Sequence, residues 1–258
     1  MTALSAAETG SAKNADVRAE RGEQARLLRA WHSEPRILVL PNAWDVASAV
    51  SLARVPDCRA LATTSGGVAR SLGFEDGAAP AEEMLRVAAR IAEAVDIPVS
   101  ADLERGYEEA PRVVRAAWEA GIVGANIEDS VGGKPPVPID EQVELLRAVR
   151  AAAPDLVLNA RIDTFLRNSA GVDETIARGN AYLAAGADCV FPILIRDRDD
   201  IDAVVRGVHG PVAVMAVPGL PPLEELEHIG VARFTWGSGL AQAALAAATE
   251  VAERALAR

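Results

Sequence analysis

The chain has 258 residues, half of them apolar and 24% charged, which excludes a disordered chain. Its apolar stretches are strand-sized, too short to cross a membrane. Against 37 Asp+Glu stand 26 Lys+Arg, a net charge of −11; that field repels phosphate backbones and anionic lipid surfaces, so neither nucleic acid nor a membrane is an expected partner.

Residues 1–22 read as a polar, flexible tail with at most a frayed helix, lacking the basic stretch and apolar core of a secretory signal. Residues 23–258 read as a single domain. Within it, runs rich in Val, Ile, Leu and Ala at 37–40, 60–65, 98–104, 124–129, 156–163, 189–195, 211–217 and 233–238 are strand candidates. Apolar spacing near 3.6 predicts helices over 45–53, 80–95, 108–120, 139–152, 173–185, 198–207, 222–228 and 239–257. Gly121 and Gly186 stand where C-terminal helix caps belong. Strands that are apolar throughout, with a helix between each pair, are buried on both faces and therefore parallel. Eight such units in about 235 residues predict a closed (β/α)8 TIM barrel. The alternative is an open doubly wound sheet, but no G-x-G-x-x-G turn follows the first strand.

In such barrels the chemistry sits at the C-terminal ends of the strands. Those ends carry Asn42 and Asp45; Thr63, Thr64, Ser65, Gly66 and Gly67; Asp102 and Glu104; Glu128 and Asp129; Asn159, Arg161 and Asp163; Phe191 and Pro192; Pro218 and Gly219; Trp236 and Ser238. His32, His209 and His228 all fall elsewhere, which removes a His-based zinc site, a Ser-His-Asp triad and a Cys-His pair. The two lysines, Lys13 and Lys134, lie outside the strands, so a Schiff-base lysine is not expected either. Cys58 and Cys189 are too few and too far apart for a disulfide framework, which fits a cytoplasmic protein.

What remains is a hard cation, carboxylates, one Arg and backbone amides. Asp102 and Glu104, two apart on a strand, point to one side, and Glu128 lies at a comparable height on the adjacent strand. Three carboxylates in one barrel mouth raise each other's pKa unless a cation neutralises them, and oxygen-only ligands favour Mg²⁺ or Mn²⁺. The alternative is that these acids cap the following helices. Arg161, in the phrase NARID, can hold a carboxylate or a developing enolate oxygen, or it can form a salt bridge to Asp163 or a neighbouring acid. TTSGGV reads as a loop whose glycines let amides face inward as an anion-binding nest. GGKPPVPIDEQ reads as a lid with Lys134 as its cation, and Asp76 as an acid within reach of the site or a turn residue.

Together the phrases PNAWD, TTSGGVARSLG, SADLERGY, NIEDS and NARID resemble the isocitrate lyase and phosphoenolpyruvate mutase superfamily, from about residue 25 to residue 240. The resemblance implies a Mg²⁺-dependent (β/α)8 barrel that breaks or forms a C–C or P–C bond in a small 2-oxo or 2-hydroxy acid through a pyruvate enolate. It also implies a homo-oligomer, dimer or tetramer, with the eighth helix exchanged between subunits. Position by position, it matches the metal-binding D-x-D to Asp102 and Glu104, the E-D pair to Glu128 and Asp129, with Glu128 as a further metal ligand, and the substrate site to Arg161 and the Ser65, Gly66 and Gly67 turn; Thr64 and Asn126 are further substrate-binding candidates. Arg161, Lys134 and Asp76 are then the catalytic candidates. The departures narrow the subclass. Lys134 is followed by Pro135, Pro136 and Val137 instead of the K-[KR]-C-G-H of isocitrate and methylisocitrate lyases. Phosphonomutases place a loop Lys-Thr-Asn-Ser and a later His where this chain has Pro135, Pro136 and Pro192. An oxaloacetate-type lyase or hydrolase is the leading expectation. A phosphonopyruvate-type mutase or hydrolase, and a barrel that has lost turnover and serves as a metabolite-binding or scaffold protein, are the alternatives.

Overall fold

A computed structural model describes residues 18–132, 134–166 and 171–257. The first stave is split at Pro41, which lacks an N–H, into β1 (Leu38–Leu40) and β2 (Asn42–Ala43). The others are β3 (Leu61–Thr63), β4 (Val99–Asp102), β5 (Gly124–Glu128), β6 (Val157–Ile162), β7 (Cys189–Pro192), β8 (Ala213–Met215) and β9 (Arg233–Thr235). All registered pairs are parallel, in the orders β8-β9-β1 and β2 through β7. The two arcs meet at Pro41 and, on the far side, at one isolated bridge, Val190↔Val212. The result is a (β/α)8 barrel in its strand order, but the ladder expected to close is two arcs, with a single bridge joining the stave of β7 to that of β8.

The helices are α1 (18–31), α2 (Val46–Ala53), α3 (Ser65–Ser71), α4 (Ala81–Glu93), α5 (Ala110–Glu119), α6 (Ile139–Ala152), α7 (Val172–Ala184), α8 (Arg198–Gly207), α9 (Leu223–Ile229) and α10 (Gly239–Leu256). Two of them differ from expectation. The described chain is already helical at residue 18, inside the stretch read as a tail. Ala25 and Leu28 of α1 pack with Leu38, Leu40, Ala62 and Val157, so the helix plugs the N-terminal mouth of the barrel. The second is α3, which occupies the segment read as a loop. Its N-cap Thr64 accepts the Gly67 N–H and overrides the helix-breaking tendency of two glycines.

The outer faces of the staves form the main core with the helices. Val99, Ala101 and Leu103, then Ala125 and Ile127, then Leu158, Ala160 and Ile162 all belong to it. Period-2 alternation therefore turns Ser100 and Asp102, then Asn126 and Glu128, then Asn159 and Arg161, into the barrel. Helix α10 is different in kind, since Ala241 is its one buried residue while Leu245 and Val251 are 59% exposed and Leu256 83%.

Beneath the barrel, buried His32 donates Nδ1–H to the Leu28 carbonyl at 2.7 Å. Burial, and then the charge of Arg233, hold its pKa down at about 4. The unfolded chain takes up that proton near pH 6.5, so between pH 6.5 and pH 4 the unfolded state binds a proton that the fold refuses. Stability should fall across that window by up to about 3 kcal/mol from this group and change no further below it. Urea unfolding at pH 7.5 and pH 4.5 should show the loss in the wild type and a correspondingly smaller one in His32→Gln.

Candidate active site

Strand register builds the site in two tiers. In the lower tier Asp102, Asn126, Asn159 and Cys189 stand side by side on β4, β5, β6 and β7. In the upper one Glu128 of β5 is paired with Arg161 of β6, and the two side chains meet at 2.6 Å. Arg161 also donates Nε–H and Nη2–H to the two oxygens of Asp163, at 2.7 and 3.0 Å. Ser130 donates its hydroxyl to Asp163, and the Asp163 N–H goes to Asp129 at 2.9 Å. The intramolecular salt bridge foreseen as the alternative for Arg161 is thus formed with both neighbouring acids. A guanidinium carries five N–H groups, so donors are left over, and Arg161 lines a cavity of about 670 Å³ at the C-terminal rim. Asp76, Glu104, Tyr107, Glu128 and Ser65 line it too.

The N-terminus of α3 closes one wall. Ser65 donates its N–H and its hydroxyl to Asp102 Oδ2 at 3.1 and 2.9 Å, while the Thr64 hydroxyl bonds that of Ser238 at 2.8 Å. The glycines are set by space. A Cβ on Gly66 would lie 2.9 Å from Asp76 Oδ2 and from Ser238 Oγ, and one on Gly67 2.5 Å from Thr64 Cγ2 and 3.2 Å from Trp44 Cβ. Gly67→Ala should therefore cost about 1–3 kcal/mol through overpacking, read as a lower urea midpoint, and should weaken ligand binding by moving the Ser65 amide.

Between β4 and α5 the backbone is left-handed at Glu104 (φ 52°), Gly106 (φ 84°) and Tyr107 (φ 58°). This loop turns Glu104 over the cavity beside Asp102 and Asp76. Burial first, and then those two carboxylates, raise Glu104 to about 7. Burial raises Glu128 to about 8 against the lowering effect of Arg161. Four carboxylates, Asp76, Asp102, Glu104 and Glu128, thus crowd around one guanidinium, and the donors they offer are all oxygen, which is the chemistry of a hard divalent cation. Among the described residues no three His, Cys, Asp or Glu side chains are gathered around a common point. Asp102 is turned onto Ser65 and Glu128 onto Arg161, so the acids share a mouth without forming a ready-made cage.

The remaining candidates are dispersed. Lys134 is exposed on the loop after β5 and does not line the cavity. Asp76 is exposed at the rim. Asn126 is buried beside Asp102 in the lower tier instead of lining the cavity. Asn42 ties three staves together, donating to the Thr63 carbonyl and accepting from Thr235 and Trp236, and Asp45 caps α2. Asp129, wholly buried, accepts from Tyr182 Oη–H at 2.8 Å and from Arg178 at 3.3 Å. Sequence reasoning missed Arg178 and Tyr182, although their i,i+4 spacing on α7 places them on one helix face. It also assigned no role to Tyr107, whose hydroxyl is buried with no hydrogen-bond partner among the described residues.

Residues 28–256 match the family described as phosphoenolpyruvate phosphomutase. The chain belongs to the phosphoenolpyruvate mutase/isocitrate lyase superfamily. A 2-methylisocitrate lyase of Bacillus subtilis (strain 168) from the superfamily is 30% identical over 206 residues, covering 75% of this chain and 67% of that protein. A solved structure from Burkholderia cenocepacia J2315 superposes with a TM-score of 0.87 at 39% identity, over 93% of this chain and 91% of the other. Oxaloacetate acetylhydrolase in complex with the product oxalate superposes with a TM-score of 0.83 at 26% identity, over 92% and 89%. The superfamily comprises lyases, mutases and hydrolases, and the chain is an enzyme of that group.

Proposed function

We propose that the chain is a Mg²⁺-dependent lyase or hydrolase that breaks a carbon–carbon bond in a small 2-oxo or 2-hydroxy diacid of the oxaloacetate type, by way of a pyruvate-enolate-like species. The observation that carries this is the rim cavity, where Arg161 and the N-terminus of α3 face a group of carboxylates too crowded to receive an anion unaided. Asp102, Glu104 and Glu128 are the residues that would hold the cation. When bound, it supplies positive charge to the ketone and carboxylate oxygens of the substrate. Arg161, held in plane by Asp163, offers its spare N–H groups to the substrate carboxylate and to charge that develops as the bond breaks. The positive end of α3 adds to that field beside Ser65.

The loop Pro135-Pro136-Val137 lacks the Cys of the isocitrate and methylisocitrate lyases, which favours the oxaloacetate type over those two activities. The exposed Leu245, Val251 and Leu256 of α10 support a homo-oligomer in which this helix packs on a second copy. The test is pyruvate, acetate and oxalate release from a panel of 2-oxo and 2-hydroxy diacids with Mg²⁺. Turnover of one panel member, lost in excess EDTA and restored by Mg²⁺, is expected. Oxalate, which imitates a planar enolate, should raise Tm in the presence of Mg²⁺ and much less in its absence. Activity that survives EDTA overturns the metal reading, and metal-linked stabilisation by oxalate without turnover of any panel member overturns the enzymatic one.

A further inference from the structure

Arg233 opens β9, is 1% exposed, and reaches across the barrel interior. Its Nη2 points to Ser100 Oγ at 3.4 Å and to Asn126 Oδ1 at 3.5 Å, while Nε and Nη1 have no hydrogen-bond partner among the described residues. A guanidinium in a barrel core is costly unless a negative charge compensates it. Cys189 does not, since burial pushes its thiol up to about 12. The carboxylate that Arg233 reaches, by way of a side-chain amide, is Asp102.

Between them lies Asn126. Its Oδ1 accepts from Asn159 at 2.8 Å and faces Arg233, and its Nδ2 faces Asp102 Oδ1 at 3.5 Å. A guanidinium has donors and no acceptor, so the atom turned towards it must be the amide oxygen, and the NH₂ is then left for Asp102. We propose that Arg233 is a positioning residue for the site above it: its buried guanidinium fixes the Asn126 amide and, through it, keeps Asp102 aimed at the cation position. This rests on the metal reading given above and extends it to a side chain that touches neither cation nor substrate.

The test is Mn²⁺ binding, followed by electron paramagnetic resonance, in the wild type, Arg233→Met, Arg233→Lys and Asn126→Ala. Methionine matches the stem of the side chain without its charge. The expected result is a folded Arg233→Met whose Mn²⁺ Kd is at least about tenfold weaker, as for other residues that support a metal ligand. Asn126→Ala should show a similar loss, and Arg233→Lys a smaller one. A second readout needs no metal. Asp102→Asn should lower Tm in the wild type, where it breaks the chain from Arg233 through Asn126, and much less in Arg233→Met, where that chain is already broken. If Arg233→Met does not fold, Asn126→Ala and Arg233→Lys decide the matter in the same titration. Wild-type affinity in Arg233→Met, or in Asn126→Ala where that variant is the one to decide, overturns the inference alone, as do equal Tm losses in both backgrounds. Absence of Mn²⁺ binding by the wild type overturns the metal reading and this inference with it.

Discussion

Asp102→Ala should lower kcat/KM by about 10³, equivalent to about 4 kcal/mol of transition-state stabilisation, with far-UV circular dichroism unchanged. Two losses combine in this substitution. The carboxylate leaves the cation position, and Ser65 loses the acceptor of its N–H and hydroxyl, so the N-terminus of α3 is no longer tied to β4. Because Asp102 stands at the C-terminal edge of its strand and is half-buried, its removal opens no cavity in the core. Glu104 cannot replace it, since the left-handed turn that carries Glu104 places it in the loop above. Steady-state kinetics on whichever panel substrate the wild type turns over, together with a thermal melt, checks the prediction; near-normal turnover would remove Asp102 from the mechanism.

Asp129→Ala should act on the fold instead. The carboxylate is fully buried and serves Tyr182 Oη–H, the Asp163 N–H and Arg178. Removing it leaves a hydroxyl and an amide without their acceptor and takes the buried one of the guanidinium's two carboxylate partners, Glu174 being the other. Breaking a buried charged network from one side costs about 3–5 kcal/mol, which for a domain of this size is about 10 °C in Tm. Asp129→Asn keeps one oxygen for the Asp163 amide and should lose much less. Differential scanning calorimetry of the two variants separates the contribution of the charge from that of the shape. Since Asp163 in turn holds Arg161 in plane, the alanine variant should lose activity below its own Tm as well.

The staves and most of the helices could be read directly because both faces of a parallel strand are buried, which leaves uninterrupted runs such as ILVL at 37–40 and PVAVMAV at 211–217. The errors have local causes. Helix α1 is rich in Arg and Glu, and what makes it part of the fold is a few residues, Ala25 and Leu28 among them, which plug the barrel end. In α3, Gly66 and Gly67 read as breakers, whereas their function is to clear space for Asp76, Ser238 and Thr64. At the site, the carboxylates and Arg161 could be found by alternation alone. Their pairing could not, since it depends on β5–β6 register placing Glu128 opposite Arg161. The layer beneath was out of reach of any local pattern: Arg233 meets Asn126 across 107 residues of chain.

The left-handed turn at Glu104 and Tyr107 also limits what mutation can do to this enzyme. Each of these residues gives up about 1–2 kcal/mol that glycine would not. A drift towards greater robustness would therefore meet easy gains here, and the first of them would delete an acid from the mouth of the barrel. Thermostabilised descendants chosen without regard to chemistry should lose their catalytic competence at this loop before the barrel itself changes.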